Sequence, residues 1–304
     1  MKNLTRIFTT LVLLLSFTFT TWAAGFTDLD KGDHHYVPIL YVQEEGIIDG
    51  YPDGSFKAWQ TVNRAEALKM ITIACGIYDD IEDVDEDTED PFTDTPIAEW
   101  YTKYLVAAKD KGIIEGYSDG SFKPGQTVNL VESLKMYVEC FDNIIYPTQD
   151  EYLFADTPPE AWFTKYTMYS AQRMMLIINL ENEIFPDQDM DRGYLAEVIF
   201  RHKKFGEGFK FGKATYYGGR FEGEGTASGD VYRSSGLTAA HRTLPFNTLV
   251  EATNLANGES VTVRINDRGP WGAGRELDLS STAFEQIGSL STGVIDVQYK
   301  VVTE

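Results

Sequence analysis

Hydrophobic and polar residues follow two different periods along the chain. Up to about residue 205, apolar residues recur every three or four positions, as in WYTKYLVAAKDKGII at 100–114, which is the spacing of an amphipathic helix. From Phe209 onward, apolar and polar residues alternate in short stretches, most clearly at 261–265 and 294–301. The pattern predicts a helical region followed by a compact all-β barrel with one small helix, STAFEQIG.

The helical region is built from internal repeats. EEGIIDGYPDGSFKAWQTVNRAEALKM at 44–70 returns as DKGIIEGYSDGSFKPGQTVNLVESLKM at 110–136. The motifs FTDLD, FTDTP and FADTP open three copies, at Phe26, Phe92 and Phe154. The third copy keeps the spacing but lacks the Gly-Tyr-x-Asp-Gly turn.

Each copy predicts a helix, a tight turn and a second helix. Asp and Gly in DGSF are typical turn residues, and the second helix begins after Asn63, Asn129 or Asp191, which are good N-caps. One hairpin cannot bury its own apolar face, so we expect the three copies to pack together.

The first residues have the composition of an export signal. Lys2 and Arg6 precede a mostly apolar stretch at 7–19, and the small residues Thr21 and Ala23 follow at the positions that a signal peptidase reads. The apolar stretch is short for a membrane span. We predict a cleaved signal peptide at 1–24, an exported protein of the cell envelope and no stable membrane insertion after cleavage; an uncleaved anchor is the alternative.

Charge and cysteine content restrict the possible partners. The formal net charge is −21, most of it before residue 206, and such a chain repels nucleic acids. Cys75 and Cys140 are the only cysteines, and either a disulfide or two free core thiols fits their apolar helical surroundings. His and Cys residues show no ligand spacing, so no metal site is predicted.

The repeats resemble the S-layer homology family, at 25–79, 91–145 and, in degenerate form, 152–205. That resemblance implies an all-α bundle of three helical hairpins that binds cell-wall polysaccharide or peptidoglycan non-covalently. The residues that it assigns to wall binding are Arg64, Trp100, Trp162 and Arg192. Two positions depart from the family: repeat two has Leu130 in place of the Arg, and repeat one has His34 in place of the Trp. Each Trp is equally compatible with a core position between helices.

The β-domain, residues 209–304, resembles the rare lipoprotein A family. The blocks TASG, TAAHRTLPF, TNLANG, RINDRGP and ELDLS all match. The resemblance implies a six-stranded double-psi β-barrel and a peptidoglycan lytic transglycosylase without a cofactor, acting on glycan strands that lack stem peptides. The alternatives are an expansin-like protein that binds and loosens wall polysaccharide without cutting it, and a structural surface protein.

The resemblance assigns the catalytic positions to Asp230, His241 and Asp267, with Asp230 where the family commonly has Glu. A lytic transglycosylase can work with one acid/base group, because the muramic acid 6-hydroxyl attacks its own anomeric carbon. We expect Asp267 to be that group, His241 to hydrogen-bond to it or to the sugar, and Asp230 to orient the imidazole or stabilise positive charge. Without the resemblance, Asp267 reads as a turn carboxylate and His241 as a buried structural histidine.

Neighbouring side chains complete the predicted site. Tyr216 and Tyr217 are candidate sugar platforms, although strand aromatics are often core. Arg268 is a candidate substrate contact, but Arg264 or Arg268 could also pair with Asp267 and lower its pKa. Asp278 is predicted to be structural, at the start of the small helix.

Overall fold

The computed structural model describes residues 25–77, 89–141, 144–146, 154–179, 181–272 and 274–302. The predicted signal peptide and most of the acidic segment between the first two repeats lie outside the described residues. No helix in the described part is both long and apolar enough to cross a membrane.

Each repeat contributes two helices, as the periodicity predicts. They are α1 (Tyr36–Glu44), α2 (Arg64–Ala74), α3 (Thr102–Asp110), α4 (Leu130–Val138), α5 (Thr164–Gln172) and α6 (Arg192–Gly206). The predicted N-caps are confirmed: the side chains of Asn63, Asn129 and Asp191 accept backbone N–H groups at the starts of α2, α4 and α6. The first two also form capping boxes, with Glu66 and Glu132.

The aspartate of each opening motif closes its hairpin. Asp28 accepts the backbone N–H groups of Phe56 and Lys57 at 2.7 and 2.8 Å. Asp94 and Asp156 make the same pair of bonds 28 and 29 residues downstream. Each aspartate therefore holds the turn between the two helices against the start of its own repeat, which explains why the motif recurs.

The repeats are not purely helical. Isolated β-bridges join the segments ahead of the second helices: Thr61 with Asp191, Asn63 with Thr127, and Asn129 with Asp189. These three bridges connect all three repeats around a common centre. The sequence prediction of an all-α unit is therefore incomplete, because three extended segments, each just ahead of a capped helix, pair with one another.

Cys75 and Cys140 form a disulfide, one of the two alternatives that the sequence left open. Their Cα atoms are 6.2 Å apart, and the bond closes a loop with a sequence separation of 65. Each cysteine follows the second helix of its repeat, so the bond ties α2 to α4. Loop closure of this length restricts the unfolded chain considerably.

The C-terminal part is a closed six-stranded barrel. Its strands are β1 (Lys210–Tyr216), β2 (Thr238–Ala240), β3 (Leu249–Asn254), β4 (Ser260–Asp267), β5 (Arg275–Leu279) and β6 (Ile295–Val301), with helix α7 (Ser281–Glu285) between the last two. The order around the barrel is β1-β5-β2-β4-β3-β6. The β1–β5 and β2–β4 pairs are parallel, and the other pairs are antiparallel. Closure leaves no unpaired edge.

The barrel packs directly on the repeats. Buried Phe200 of α6, Phe211 of β1 and Leu255 form a small apolar core at the junction. The backbone N–H of Val37 donates to the carbonyl of Leu255 at 3.0 Å, which ties α1 to the hairpin after β3. The junction thus uses both the first and the third repeat.

A buried ion network holds the third repeat to the first. Glu197 of α6 bonds Arg201 at 2.5 Å and the His35 ring at 2.5 Å, with all three side chains under 10% exposed. Burial by itself raises the pKa of Glu197, but the Arg201 charge and the His35 hydrogen bond outweigh it and hold the pKa well below its usual range. Gly193 makes room for the ring, since a Cβ there would lie 2.7 Å from His35 Cδ2.

We predict that Arg201→Met destabilises the protein by about 3 kcal/mol, because it leaves the Glu197 charge buried without its cationic partner. Denaturant unfolding measures the change. The matched control is Lys204→Met on the same helix, whose ion pair with Glu207 is more exposed and should contribute less than about 1 kcal/mol. Equal effects of the two substitutions would contradict the prediction.

Candidate functional site

Asp267 ends β4 with its carboxylate fully engaged as a hydrogen-bond acceptor. One oxygen accepts the backbone N–H groups of Ala227 and Arg268, at 2.9 and 2.8 Å. The other accepts the hydroxyl of Tyr217 at 2.9 Å. These three donors come from three separate segments of the barrel. They fix the carboxylate at one position on the surface.

The loop that contains Ala227 also carries Asp230. The Ser228 N–H donates to the carbonyl of Asn266 at 3.1 Å, so the loop is fixed against the end of β4. The Asp230 carboxylate accepts Arg264 at 2.7 Å and the Asn266 amide at 3.3 Å. The hydrogen bond from Arg264 is the main reason that the pKa of Asp230 lies below its usual value.

His241 does not form the predicted side-chain pair with Asp267. Within the described structure the two residues meet through their backbones, with the His241 N–H 3.3 Å from the Asp267 carbonyl. The ring nitrogen Nδ1 accepts the backbone N–H groups of Thr243 and Leu244, at 3.1 and 3.0 Å. The tight turn after β2 therefore points the ring away from the carboxylate, which the sequence spacing could not reveal.

The other ring nitrogen belongs to a polar cluster that the sequence analysis missed. His241 Nε2 lies 3.3 Å from the Tyr299 hydroxyl, which donates to Glu276 at 2.9 Å. Glu276 also forms an ion pair with Arg242. The cluster lines a cavity of about 590 Å³ between the barrel and the third repeat. In the sequence, this cluster was indicated only by Glu276, a charged residue inside the short strand RELDL.

The predicted role of Asp230 as a partner of His241 is also not observed among the described contacts. The Asp230 carboxylate bonds Arg264 and Asn266 instead. Asp230 and Asp267 nevertheless lie on one side of the barrel, because the loop that carries Asp230 bonds both of the last two residues of β4. Its Ala227 N–H donates to the Asp267 carboxylate, and its Ser228 N–H donates to the Asn266 carbonyl. The imidazole lies on the far side of that strand end, because of the turn after β2.

The two tyrosines have different environments. Tyr216 packs its ring on Phe284 and donates its hydroxyl to the Leu290 carbonyl, which favours the core alternative over a sugar platform. Tyr217 points the other way, to Asp267, and its ring contacts Phe221 and Tyr232. Strand alternation separates the two side chains. Burial, followed by the Asp267 charge, raises the pKa of Tyr217.

Among the described contacts, neither neighbouring arginine pairs with the Asp267 carboxylate. Arg264 bonds Asp230, as described above. Arg268 stacks on Phe246 at 3.8 Å and donates to the backbone carbonyl of His241 at 3.2 Å. Arg268 therefore supports the backbone around the site rather than neutralising its carboxylate.

The small helix begins at Ser281, as the segment STAFEQIG predicts. Ser280 is its N-cap and accepts the Ala283 N–H. Asp278, which the sequence placed at the helix start as a structural carboxylate, lies inside β5 instead, and its carboxylate accepts the Thr215 hydroxyl at 2.9 Å.

An exposed tryptophan lies beside this surface. Trp271, 78% exposed, follows Asp267 by four residues on the loop between β4 and β5. A large aromatic ring in contact with solvent is suited to packing on a sugar ring. The sequence analysis did not select it, because exposure cannot be read from the sequence.

The repeats form two equivalent clefts, each from all three copies. One is lined by residues 47–51 of the first repeat, Trp100 of the second and Arg192 of the third. The other is lined by residues 113–117, Trp162 and Arg64. Each cleft also contains a Glu and a Lys from the second helix of a repeat, Glu66 and Lys69 or Glu132 and Lys135.

The two tryptophans are exposed at the walls of the clefts, and backbone carbonyls hold the two arginines in place. Trp100 and Trp162 are 50% and 55% exposed, so they are not core anchors between helices. Arg192 donates to the Phe56 carbonyl at 2.9 Å and Arg64 to the Phe122 carbonyl at 2.9 Å. Each guanidinium also lies over the tyrosine and the phenylalanine of the facing hairpin.

The third position of this arrangement has different chemistry. His34 stands where the other repeats have Trp, and it lines a cavity with His35 and residues 177–179 of the third repeat. Leu130, in the Arg position, is buried. Glu197, the ion-pair partner of Arg201, occupies the position that Lys69 and Lys135 have in α2 and α4. The departures noted in the sequence therefore remove the arginine and replace the equivalent tryptophan by His34, while Trp59 lines the same cavity from another position.

His34, His35 and Glu197 also form a group with ligand atoms within 4.8 Å of one another. The sequence predicted no metal site, and two adjacent histidines gave no ligand spacing. The Glu197 carboxylate is already bonded to Arg201 and to the His35 ring. The group is therefore explained by the ion network that joins the first and third repeats.

Comparison with protein families agrees with this architecture. A family model described as lytic transglycolase matches residues 210–299, and the S-layer homology domain model matches 25–68 and 91–129. The C-terminal domain is thus a double-psi β-barrel of the lytic transglycosylase type, and S-layer homology domains precede it. The third repeat shares their helix pair and turn-closing aspartate.

The chain is similar to proteins named endolytic peptidoglycan transglycosylase RlpA. A probable member from Synechocystis sp. is 54% identical over 93 residues, which are 31% of this chain and 29% of that protein. The protein from Vibrio cholerae is 43% identical over 112 residues, 37% of this chain and 41% of its own length. The chain therefore spans less than half the length of these relatives.

Solved structures give weaker similarities. The Streptomyces papain inhibitor is 27% identical with a TM-score of 0.27, over 31% of this chain and 94% of that one. An expansin from Clavibacter michiganensis is 23% identical with a TM-score of 0.26, over 32% of this chain and 51% of its own.

We predict that the His241 imidazole is neutral at pH 7 and carries its proton on Nε2, because Nδ1 accepts two N–H groups. Burial lowers the pKa of this ring below its ordinary value of 6.5. The unfolded chain therefore takes up the proton first, and this group reduces stability as the pH falls through 6.5. Nitrogen-15 NMR of the ring, assigned with His241→Gln, measures both properties. A pKa above 6.5 or a proton on Nδ1 would refute the prediction.

Proposed function

We propose that the protein is a peptidoglycan lytic transglycosylase that is held on the cell wall by its S-layer homology repeats. The barrel cleaves the bond between N-acetylmuramic acid and N-acetylglucosamine and leaves 1,6-anhydro ends. It prefers strands that lack stem peptides, as the family resemblance implies. The observation that carries this proposal is the fixed Asp267 carboxylate at the end of β4, in a barrel similar to transglycosylases.

The reaction needs a group that exchanges protons with the sugar. The glycosidic oxygen must gain a proton as it leaves, and the muramic acid 6-hydroxyl must lose one as it attacks the anomeric carbon. In the simplest form a single carboxyl does both, and no water is consumed. We assign Asp267 to this centre, because the donors from Ala227, Arg268 and Tyr217 hold it in one orientation.

The remaining predicted residues act around that carboxyl. Asp230, ionised and partly exposed, contributes negative charge that stabilises oxocarbenium character in the transition state. His241 is a positioning residue, because its backbone N–H bonds the Asp267 carbonyl while its ring is braced by Tyr299. Arg268 contributes through its bond to the His241 carbonyl. Trp271 and Tyr217 are the candidate sugar contacts.

The two clefts of the repeats are the proposed wall-binding sites. An exposed tryptophan packs on a sugar ring, and the arginine and lysine attract a carboxylate or phosphate on the polymer. Binding there would raise the local concentration of glycan at the barrel. Two intact clefts, rather than three, are the proposed binding capacity of each chain.

Asp267→Asn should abolish the release of anhydro-ended fragments from purified sacculi, with a loss of at least about a hundred-fold. The amide cannot exchange the proton, although it keeps the size of the side chain. Mass spectrometry of the released fragments measures the loss. Glu251→Gln, on the exposed face of β3, is the control and should retain full activity.

The same assay separates cutting from binding. If the wild-type protein sediments with sacculi but releases no anhydro ends, it is a wall-binding protein and the transglycosylase proposal fails. If Asp267→Asn keeps wild-type activity, the family activity stands and the assignment of Asp267 is wrong.

Replacing both Trp100 and Trp162 by Ala should reduce sedimentation with sacculi at least ten-fold while the barrel keeps its activity on soluble glycan. Trp59→Ala is the comparison, since Trp59 is also exposed, at 70%, and lines the cavity at the third position rather than either of these two clefts. Sedimentation that is unchanged in the double variant would show that the clefts do not bind the wall.

A further inference from the structure

A second carboxyl shares the outer face of the barrel with Asp267. In β5, Asp278 alternates with Leu277 and Leu279, which are core residues, so its side chain points away from the barrel interior. The central strand β2 pairs Ala240 with Asp278 on one side and with Asp267 on the other. The two carboxyl groups therefore occupy register positions on either side of Ala240, next to an irregularity in the β2–β4 pairing, and the Tyr217 side chain lies on the face between them.

Tyr217 shows that these side chains lie on one surface. It follows β1, and the strand order β1-β5-β2-β4 places β5 and β2 between it and Asp267. Its hydroxyl nevertheless reaches the Asp267 carboxylate at 2.9 Å. The side chain must pass along the face that carries Thr215 and Asp278. We therefore expect a sugar linkage that meets both carboxyl groups to lie beside the Tyr217 side chain.

The two carboxyl groups have unequal hydrogen bonds. Asp267 accepts two backbone N–H groups and a hydroxyl, so three donors face its oxygens. Asp278 accepts one hydroxyl, from Thr215, and is half-buried. The charged or titratable groups that act on it are Asp267, Arg275 and Tyr217.

Burial and the Asp267 charge also favour a proton on Asp278. Burial is the largest effect and raises the pKa of Asp278; the negative charge of Asp267 acts in the same direction. The Thr215 hydrogen bond and the Arg275 charge act against them without reversing the shift. Two carboxyl groups in unequal environments are a common arrangement for an acid and a base.

We propose that Asp278 is the proton donor of the reaction and that Asp267 is the base. This inference rests on the proposed function and divides between two residues the proton transfers that one carboxyl would otherwise perform. Asp278, predicted from the sequence to be structural, becomes a catalytic residue.

The proton and electron balance is complete without a co-reactant. The Asp278 proton moves to the glycosidic oxygen as the bond from that oxygen to the anomeric carbon of muramic acid breaks. The 6-hydroxyl oxygen forms the new bond to the same carbon, and its proton moves to Asp267. Exchange with solvent then returns a proton to Asp278 and removes one from Asp267.

The test compares two substrates that differ in the need for an acid. Asp278→Asn should lower the release of anhydro ends from sacculi by at least about a hundred-fold. On a muramyl glycoside with 4-nitrophenol as the leaving group, which departs without a proton, it should retain activity within about ten-fold of wild type. Asp267→Asn should be defective on both substrates, because the 6-hydroxyl still needs a base.

A pH profile provides a second readout on the natural substrate. Activity should fall as the pH rises through the pKa of Asp278. Thr215→Val should move that limb to higher pH, since it removes a hydrogen bond that favours the charged form. Glu251→Gln should leave the profile unchanged, and thermal unfolding should show that each variant is folded.

The outcomes separate this inference from the proposed function. If the wild-type protein releases no anhydro ends, the transglycosylase proposal fails. If wild type is active and Asp278→Asn is equally active on sacculi, the inference is overturned. It is also overturned if the folded Asp278→Asn variant is equally impaired on both substrates, because a positioning role predicts that result.

Discussion

The hydrogen bonds to the Asp267 carboxylate connect the parts of the barrel that make up the proposed site. They bring together the loop that carries Asp230, the segment after β1 that carries Tyr217, and the turn after β4. Backbone bonds from Ser228 to Asn266 and from Tyr217 to Leu279 hold two of these segments to the barrel as well. A carboxylate that accepts three hydrogen bonds is also rigid, and a rigid group meets the geometric demands of a displacement at a sugar carbon.

The register of three strands adds a second carboxyl to that site. Because β2 lies between β4 and β5, Ala240 aligns Asp267 with Asp278 on one outer face. The Tyr217 side chain covers the face between the two acids and donates its hydroxyl to Asp267. His241 follows on the same strand, yet the turn directs its ring to Glu276 and Tyr299. Strand β2 thus separates two polar clusters. One contains the proposed reacting groups Asp267 and Asp278, and the other contains the His241 ring, Glu276 and Tyr299.

The repeats use the same residue types in two different ways. In two clefts, tryptophan and arginine surround an open space, and the arginines are held by backbone carbonyls. At the third position, His34 and Glu197 replace the tryptophan and the lysine and take part in the contacts between the first and third repeats. These same two repeats contact the barrel, through α1 and α6. The cavity that has neither the arginine nor the equivalent tryptophan therefore lies between the same two repeats that contact the barrel.

The sequence by itself determined the two domains, the helix caps and the barrel resemblance, because these depend on local spacing and on blocks of adjacent residues. It also selected the four residues that line the two clefts. It did not give the direction of the His241 ring, the packing of Tyr216 or the place of Asp278 within a strand, because the direction of a side chain depends on a turn or a strand register. Only the tertiary structure decided which carboxyl groups share a face and that the two cysteines are joined. Both facts depend on contacts between segments far apart in the chain, and spacing along a sequence carries no information about such contacts.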